Sequence, residues 1–378
     1  MKEKILFIMH MPPPVHGAAM IGECIHNSEI INTKFDCYYI NPSVSNRIAE
    51  VGKFKIKKIL LFFNLLYKIF KSIKKIKPDL CYYTPTSDGF GIYRDALTIA
   101  LMQKCNVKVV LHFHNKGVRN YSKHKFAQFA YRRIFNNTKI ILIAQELYKD
   151  IEQFTSKDNI YILPNGIPLT IKDSEYNKII TERKVYSEKN RLLYLSNMMS
   201  EKGIWILLDA CKDLHQRGYK FECHYIGNWG DTTLDEFQNE IDSRGLHNIV
   251  FCHGPKYGND KKQYFTNSDI FIFPTFYHGE TFGLVLLEAM EYGLPCITTP
   301  EGGIPSFVTS ENGILVEQKN VQQLADAIET LINDKEKREY MGSNGRQVFI
   351  KEYTIDKFEN HLVDILNKIN SSLKIRQA

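Results

Sequence analysis

Residues 276–299 read FYHGETFGLVLLEAMEYGLPCITT, and this stretch decides how the chain folds. The aromatic and β-branched residues before it predict a strand that ends at Pro274. The loop that follows leads into an apolar run that predicts a helix from about Gly283 to Gly293, with Pro295 just beyond. A helix that begins directly after a strand presents free backbone N–H groups and the positive end of its dipole. The stretch therefore predicts a site suited to a pyrophosphate.

Short β-branched or aromatic runs recur along the whole chain between longer amphipathic segments. In the first part they cover residues 4–10, 79–84, 107–114, 139–144 and 160–163. After a polar stretch at 170–190 they cover residues 191–195, 221–226, 249–253, 270–274, 296–299 and 313–316. This alternation predicts βαβ units and parallel sheets. Because 378 residues exceed what one hydrophobic core usually organises, we expect two domains, with the boundary near the polar stretch.

Three helical patterns end the chain, at residues 321–333, 335–350 and 354–373. The last pattern carries an apolar stripe with helical period, formed by Ile355, Phe358, Leu362, Ile365, Leu366 and Ile369. Such a stripe must pack on a domain. The period alone leaves open whether it caps the second domain or crosses back to the first.

Composition places the chain among ordinary globular proteins, with 44% hydrophobic and 24% charged residues. Its eight cysteines are scattered singly, which predicts buried free thiols in a reducing compartment and no zinc site. The first residues offer only about five apolar positions before prolines intervene, too few for a signal peptide. No segment reaches the roughly 20 apolar residues of a membrane span. We therefore expect a cytoplasmic protein, with peripheral contact at the inner face of the cell membrane as an option.

Charge is distributed unevenly along the chain. Residues 1–168 hold 25 lysines and arginines against 12 acidic residues, whereas residues 169–378 hold 24 against 30. A basic half indicates an anionic partner. Nucleic acid, a phospholipid surface and a lipid-linked diphosphate all fit, and charge alone does not choose among them.

Glu280 and Glu288 stand eight positions apart, and in isolation this spacing is typical of solvated acids at the start of a helix. Their context, HGETFGLVLLEAMEYGLPCI, closely resembles the E-x7-E signature of glycosyltransferase family 4. Further segments match the family in the same order, namely LPNGI at 163–167, SEKG at 200–203 and EGGIP at 301–305. The resemblance covers nearly the whole chain.

This resemblance implies an α/β architecture, the GT-B fold, with two Rossmann-like doubly wound parallel-sheet domains that face each other across a cleft. Residues 1–168 would bind the acceptor, joined by a C-terminal helix at about 354–378 that returns to them. Residues 169–353 would bind a sugar nucleotide.

The family roles transfer residue by residue. Glu288 would bind the donor ribose, and Glu280 would contact the transferred sugar near its reacting carbon. Lys202 would neutralise the diphosphate, the leaving group whose charge grows in the transition state. The donor's sugar and pyrophosphate would be held by the backbone of Thr281, Phe282, Gly283 and Leu284.

One position departs from the family. Members usually carry an arginine five residues before the lysine, and here that residue is Asn197. Either Asn197 hydrogen-bonds the diphosphate, or another cation replaces the arginine. Arg94, Lys116 and Arg119 are the candidates in the first domain.

The first domain offers its own candidates. Gly17 follows the first strand and would let backbone approach the donor, although His16 stands where the family has another glycine. His112 and His114 share one face of a strand, an arrangement otherwise typical of packing or metal ligation. The resemblance implies that His114 orients sugar and acceptor, with His112 behind it. No acidic pair follows a strand as a metal-dependent transferase requires, so we expect no obligatory metal.

The stretch from Lys53 to Lys77 has nine lysines around an apolar centre. It fits a helix that packs on the sheet, and equally a surface that docks on anionic lipid, and the two are compatible. Aromatic residues do not interleave with basic ones along the strands, so we expect no nucleic-acid partner.

Together these features indicate a retaining glycosyltransferase. The donor would be a nucleoside-diphosphate sugar, with UDP- or GDP-sugars favoured. The acceptor would be a hydroxyl of a lipid-linked saccharide in cell-surface polysaccharide biosynthesis. Two alternatives remain, a GT-B-fold sugar-nucleotide epimerase and a non-catalytic partner in a polysaccharide assembly complex, for which Asn197 is the only hint.

Overall fold

The computed structural model describes residues 2–13, 17–42, 56–185 and 190–374. The chain divides into two compact units. Unit 1 comprises Met1–Asn165 and Ile355–Ala378, and unit 2 comprises Gly166–Thr354. Each unit is built around one parallel six-stranded sheet.

The sheet of unit 1 has the order β2-β1-β3-β4-β5-β6. Its strands are β1 (Lys4–Ile8), β2 (Asp36–Ile40), β3 (Leu80–Tyr83), β4 (Lys108–Phe113), β5 (Thr138–Leu142) and β6 (Ile160–Ile162). The sequence did not predict β2, because it is an edge strand of mixed polarity whose residues are mostly half-buried. The other five strands are confirmed.

The helices of this unit in chain order are α1 (Gly17–Asn27), α2 (Glu29–Lys34), α3 (Ile56–Ile76), α4 (Gly91–Lys104), α5 (Val118–Tyr121), α6 (Lys125–Phe135) and α7 (Tyr148–Ile151). Helix α4 contacts both α3 and α6, so these three helices form one layer. Short 3₁₀ turns lie at Gln145–Leu147 and Lys157–Asn159.

The sheet of unit 2 has the order β12-β11-β10-β7-β8-β9. Its strands are β7 (Asn190–Leu195), β8 (Phe221–Ile226), β9 (Val250–Cys252), β10 (Ile270–Phe273), β11 (Cys296–Thr298) and β12 (Gly313–Leu315), which confirms all six predicted runs. The strand order reverses between β7 and β10, as in the doubly wound dinucleotide-binding fold.

The helices of unit 2 are α8 (Asp173–Val185), α9 (Ile204–Gln216), α10 (Leu234–Ser243), α11 (Gly258–Asn267), α12 (Leu284–Glu291), α13 (Val321–Asn333) and α14 (Lys335–Glu352), with 3₁₀ turns at Ser200–Lys202 and Ile304–Ser306. Helix α8 lies within the polar stretch that the sequence indicated as a boundary. It is held by Arg183, whose guanidinium donates to the carbonyls of Phe265, Thr266 and Tyr292 at 2.6, 2.9 and 2.9 Å. These bonds reach distant parts of the chain, so local periodicity could not reveal them.

The last helix, α15 (Ile355–Lys374), packs in the core of unit 1. Its apolar stripe shares one hydrophobic cluster with residues of β1 and α1, such as Phe7 and Ile21. The alternative that it caps the second domain is therefore wrong. Residues 375–378, which the sequence analysis included in this helix, lie outside the described residues.

All eight cysteines are free thiols. The prediction that they are all buried is wrong for Cys24, Cys37, Cys105 and Cys252, which are partly exposed. Among the described residues, no helix combines the length and the apolar character needed to cross a membrane.

Candidate functional site at the carboxyl edge of the second sheet

Two loops meet where the strand order of unit 2 reverses. One follows β7 and leads to α9, and the other follows β10 and leads to α12. Because the chain continues from these neighbouring strands in opposite directions, the loops diverge and leave a crevice, the usual ligand site of open α/β sheets. The loop after β7 carries Asn197 and Lys202, and the loop after β10 carries Glu280 to Gly283.

Lys202 and Glu280 join these two loops. The Nζ of Lys202 lies 2.7 Å from Oε2 of Glu280, and their side chains are only 12% and 13% exposed. The ammonium also lies over the ring of Tyr277, 4.4 Å from its centroid. A lysine so placed is held by charge and by an aromatic face and is largely shielded from water.

Gly203 explains why the loops approach so closely. Its φ is +87°, and a Cβ at this position would lie 2.2 Å from the carbonyl oxygen of Pro274. A side chain here would push apart the two loops that carry Lys202 and Glu280. The glycine of the SEKG segment is therefore a structural requirement of the site.

The second oxygen of Glu280 stabilises the start of α12. Its Oε1 accepts a hydrogen bond of 3.0 Å from the backbone N–H of Gly283, which has a φ of +73°. The carboxylate thus occupies the positive end of the helix, where an anion is favoured. Thr281 and Phe282 are buried, and the ring of Phe282 stacks on Phe307 with centroids 4.8 Å apart.

The EGGIP segment closes against the same backbone. The N–H of Gly303 donates to the carbonyl of Thr281 at 2.8 Å, and a Cβ on Gly302 would lie 2.6 Å from the carbonyl oxygen of Glu280. The EGGIP segment therefore packs tightly on the backbone of Glu280 and Thr281.

Glu288 lies one turn inside α12, as the sequence predicted. Both of its carboxylate oxygens lie 2.9 Å from the Nζ of Lys261, which comes from α11. The sequence analysis missed Lys261, because the pair joins two helices and no spacing in the sequence signals it. The site thus contains two lysine–glutamate pairs, one at the mouth of α12 and one a turn deeper.

Asn197 is exposed on the loop after β7. The next residue, Met198, donates its N–H to Asn228 O at 2.7 Å, and Ser200 donates its N–H to the Asp231 carboxylate at 2.8 Å. A Cβ on Gly227 would lie 1.6 Å from the carbonyl oxygen of Ser196. The loop after β8 therefore holds the backbone beside Asn197.

His253 begins the loop at 253–258, which follows β9. Its Nε2 lies 2.9 Å from Nδ1 of His224. Burial, followed by the nearby His224 and Lys256, lowers the pKa of His253 to about 4. Both histidines are thus neutral near pH 7, since burial also lowers the pKa of His224.

Two predicted residues, His114 and Gly17, belong to unit 1 and not to this edge. His114 follows β4, and its ring lies 4.0 Å from the ring of His112. His112 is fully buried with its Nδ1 bonded to the Tyr82 hydroxyl, and burial lowers its pKa well below the usual range. The neutral ring of His112 therefore packs against the ring of His114.

Gly17 is the first residue of α1, and a Cβ there would meet no atom within 4 Å. The preceding His16 lies outside the described residues. The close approach in this region is made by Gly22, whose Cβ would lie 2.0 Å from the carbonyl oxygen of His10. Sequence reasoning missed Gly22, since a lone glycine within a helical pattern has no distinctive signal.

Arg94 already has a partner in unit 1. Its Nε donates to the buried Asp95 at 2.9 Å, and that carboxylate raises the pKa of the guanidinium. Over the described ranges, no group of three or more histidine, cysteine or acidic side chains is placed to hold a metal ion.

Comparisons with known proteins identify the family of the chain. Residues 175–348 match the family model described as glycosyl transferases group 1. The chain is 30% identical over 80% of its length to a capsular polysaccharide biosynthesis glycosyltransferase, CapM of Staphylococcus aureus, and covers 80% of that protein.

Solved structures match over nearly the whole length of the chain. A glycosyltransferase from Rickettsia africae has a TM-score of 0.74 at 18% identity, covering 97% of this chain and 98% of its own. Anabaena HepE in complex with UDP has a TM-score of 0.70 at 17% identity, covering 97% of this chain and 100% of its own. These likenesses show the GT-B fold.

Proposed function

The chain belongs to the glycosyl transferases group 1 family, and from this premise we propose that it is a retaining glycosyltransferase. It transfers a sugar from a nucleoside-diphosphate sugar to a hydroxyl of a lipid-linked saccharide in cell-surface polysaccharide biosynthesis. The observation that supports this most is the Lys202–Glu280 pair at the start of α12, with Glu288 one turn deeper.

The donor diphosphate exchanges places with a carboxylate. In the structure the carboxylate of Glu280 accepts hydrogen bonds from the Nζ of Lys202 at 2.7 Å and from the backbone N–H of Gly283 at 3.0 Å. A diphosphate is the stronger anion and takes over both partners. The Glu280 carboxylate is then free to accept a hydrogen bond from a hydroxyl of the transferred sugar. The ion pair thus keeps the phosphate site ordered until the donor arrives.

Glu288 recognises the ribose. Its two oxygens match two neighbouring hydroxyls, and Lys261 holds the carboxylate in place. The base lies against the loop at 253–258. Because HepE was solved with UDP, a UDP-sugar is favoured over a GDP-sugar.

During transfer the bond between the anomeric carbon and the diphosphate oxygen breaks, and negative charge grows on that oxygen. Lys202 and the α12 N-terminus stabilise this charge, which removes the need for a metal ion. The acceptor hydroxyl forms the new bond on the same face and gives its proton to the departing phosphate. His114 orients the sugar and the acceptor, which approaches from the basic unit 1.

A thermal-shift panel tests the donor site. UDP-, GDP-, ADP- and dTDP-sugars are each added with magnesium or with EDTA, since a bound donor raises the melting temperature by mass action. We expect one nucleotide family to stabilise the protein regardless of magnesium. Glu288→Ala should abolish the shift, while the exposed Glu336→Ala serves as the matched control. No shift with any sugar nucleotide would contradict the proposal.

The stereochemistry of the product tests retention. The anomeric proton of the product is compared by NMR with that of the donor. We expect the same configuration. An inverted product would contradict the retaining mechanism while leaving the donor site intact.

A further inference from the structure

Large apolar side chains are unusually exposed on the outer side of the α3, α4 and α6 layer. Phe126 and Phe129 of α6 are 83% and 77% exposed, and the others on these helices that are more than half exposed are Leu60, Phe63, Tyr67 and Leu97. We call these six residues the apolar face. Exposed large apolar side chains on three neighbouring helices indicate an interaction site.

The core of unit 1 does not need these residues. Helix α3 already buries Leu65, Ile69 and Ile73, and α6 buries residues that include Tyr131 and Ile134. The 21 residues of α3 are about 31 Å long, whereas the four-residue β3 to which it leads spans only about 13 Å. Accordingly, Leu65 is the first buried residue among the side chains of α3 that the structure describes.

All but one of the lysines, arginines and acidic residues on the same three helices are basic. The helices carry eleven lysines and arginines, six on α3, two on α4 and three on α6. Their single acid, Asp95, is buried and paired with Arg94. A surface that combines apolar side chains with cations and has no exposed acid on these helices fits the interface of an anionic bilayer.

We propose that the apolar face docks unit 1 on an anionic lipid surface, with Phe126 and Phe129 entering the bilayer interface. The lysine stretch that ends at Lys77 supplies only part of this contact, and α6 supplies its apolar anchor. A lipid bilayer is the favoured occupant because the face mixes aliphatic and aromatic side chains over several turns. Nucleic acid would instead need aromatic rings set into a basic groove.

The position of Phe126 on α6 suits an acceptor linked to a membrane lipid, an argument that rests on the proposed function. Helices α4 and α6 lead back to the starts of β4 and β5, so their first turns lie at the carboxyl edge of the sheet. His114 follows β4 at that edge. With Phe126 in the bilayer, a saccharide whose lipid stays in the membrane can reach His114.

Vesicle binding of the full chain tests the proposal without donor or acceptor. Vesicles of phosphatidylcholine are compared with vesicles that also contain phosphatidylglycerol. We expect binding to the anionic vesicles, and the double variant Phe126→Ser/Phe129→Ser should lower the partition coefficient by about 10- to 100-fold. Leu234→Ser/Tyr340→Ser, which removes two exposed apolar residues of unit 2, is the matched control and should bind as the wild type does.

Three further variants distinguish insertion into the bilayer from electrostatic attraction to its surface. Phe126→Trp should show a blue-shifted emission that lipid-borne quenchers reduce, whereas Tyr340→Trp should not. Lys68→Glu/Lys71→Glu should weaken binding to anionic vesicles and leave the Phe126→Trp shift intact at high lipid. Melting curves confirm that each variant is folded.

Several outcomes would overturn the proposal. They are no binding to anionic vesicles, or an unchanged partition coefficient in Phe126→Ser/Phe129→Ser. Binding to a single-stranded oligonucleotide in place of vesicles would also overturn it. Vesicle binding as expected with no donor-induced thermal shift would contradict only the proposed function, so the two failures are distinguishable.

Discussion

The two sheets of the molecule are built alike but present different edges. In unit 2 the strand order reverses at the centre, between β7 and β10, whereas in unit 1 it reverses near one side, between β1 and β3. The central reversal brings together two loops that carry paired charges, Lys202 with Glu280. The edge of unit 1 carries the neutral His112 beside His114. The family model matches residues 175–348, entirely within unit 2.

This difference between the two edges bears on which substrate each of them could bind. A diphosphate is the same group in every sugar nucleotide, and in the proposed function it binds at the edge of unit 2 with its paired charges and close-packed glycines. In the same proposal the acceptor binds at the edge of unit 1, where the two histidines carry no such pair of opposite charges. We therefore expect substitutions at the two edges to have different consequences.

The largest effect should follow from Lys202→Ala. Loss of the cation that stabilises the leaving phosphate should lower kcat by roughly 10²- to 10³-fold. It should also lower the free energy of unfolding, because the largely buried Glu280 carboxylate loses its partner. Initial rates of sugar transfer provide the measurement, with the exposed Lys212→Ala as the matched control. If His114→Ala lowered the transfer rate more than Lys202→Ala does, the edge of unit 1 would contribute more to catalysis than the edge of unit 2. That result would contradict this prediction.

The next effect concerns two glycines of unit 2 with almost identical φ angles. Gly203 and Gly218 have φ values of +87° and +88°, but only Gly203 would bring a Cβ against another atom, Pro274 O. Gly218→Ala should cost about 1 kcal/mol of unfolding free energy from backbone strain alone. Gly203→Ala should cost about 3 kcal/mol and also lower transfer, since its loop carries Lys202. Urea unfolding measures the loss of stability in each variant, and initial rates measure transfer. Equal losses of stability would show that the loops carrying Gly203 and Pro274 are not tightly packed against each other.

A smaller effect is expected at the deeper pair. Lys261→Met keeps the length of the side chain but leaves Glu288 without its partner at 2.9 Å. The donor KM should rise by about tenfold while kcat stays nearly constant, because the pair serves binding and not bond cleavage. Saturation kinetics with the donor measure this. A fall in kcat alone would place Lys261 in the chemistry instead.

The smallest effect should appear as pH dependence of unit 1. Burial lowers the pKa of His112 well below the unfolded value of about 6.5. Below about pH 6.5 the unfolded chain therefore binds a proton that folded unit 1 does not, and stability falls as pH falls, by at most about 1.4 kcal/mol per pH unit.

His112→Gln should remove this part of the acid sensitivity. Both tryptophans, Trp205 and Trp229, lie in unit 2, so their fluorescence follows that unit while circular dichroism follows both. We expect the variant to change the dichroism transition between pH 7 and 5 and to leave the fluorescence transition unaltered. A change in the fluorescence transition alone would refute this assignment.

The sequence predicted eleven of the twelve strands and the loop–helix position of Glu280 and Glu288, because these depend on local periodicity and on helix start and stop signals. It missed β2, an edge strand of mixed polarity, and α8, whose position depends on Arg183 and distant carbonyls. The partner of Glu288 was also beyond local reasoning. Lys261 looks like one solvated lysine among many until α11 and α12 are packed side by side.

The placement of α15 has a consequence for how the protein is made. Its residues Phe358, Leu362 and Leu366 belong to the core of unit 1, although all of unit 2 is encoded before them. A ribosome therefore completes unit 2 first, and unit 1 exposes an unfinished core for roughly 10 to 40 s at 5–20 residues per second. A fragment that ends at Asn165 would lack this helix, so it should be recovered from cells as aggregate unless residues 355–374 are supplied in trans.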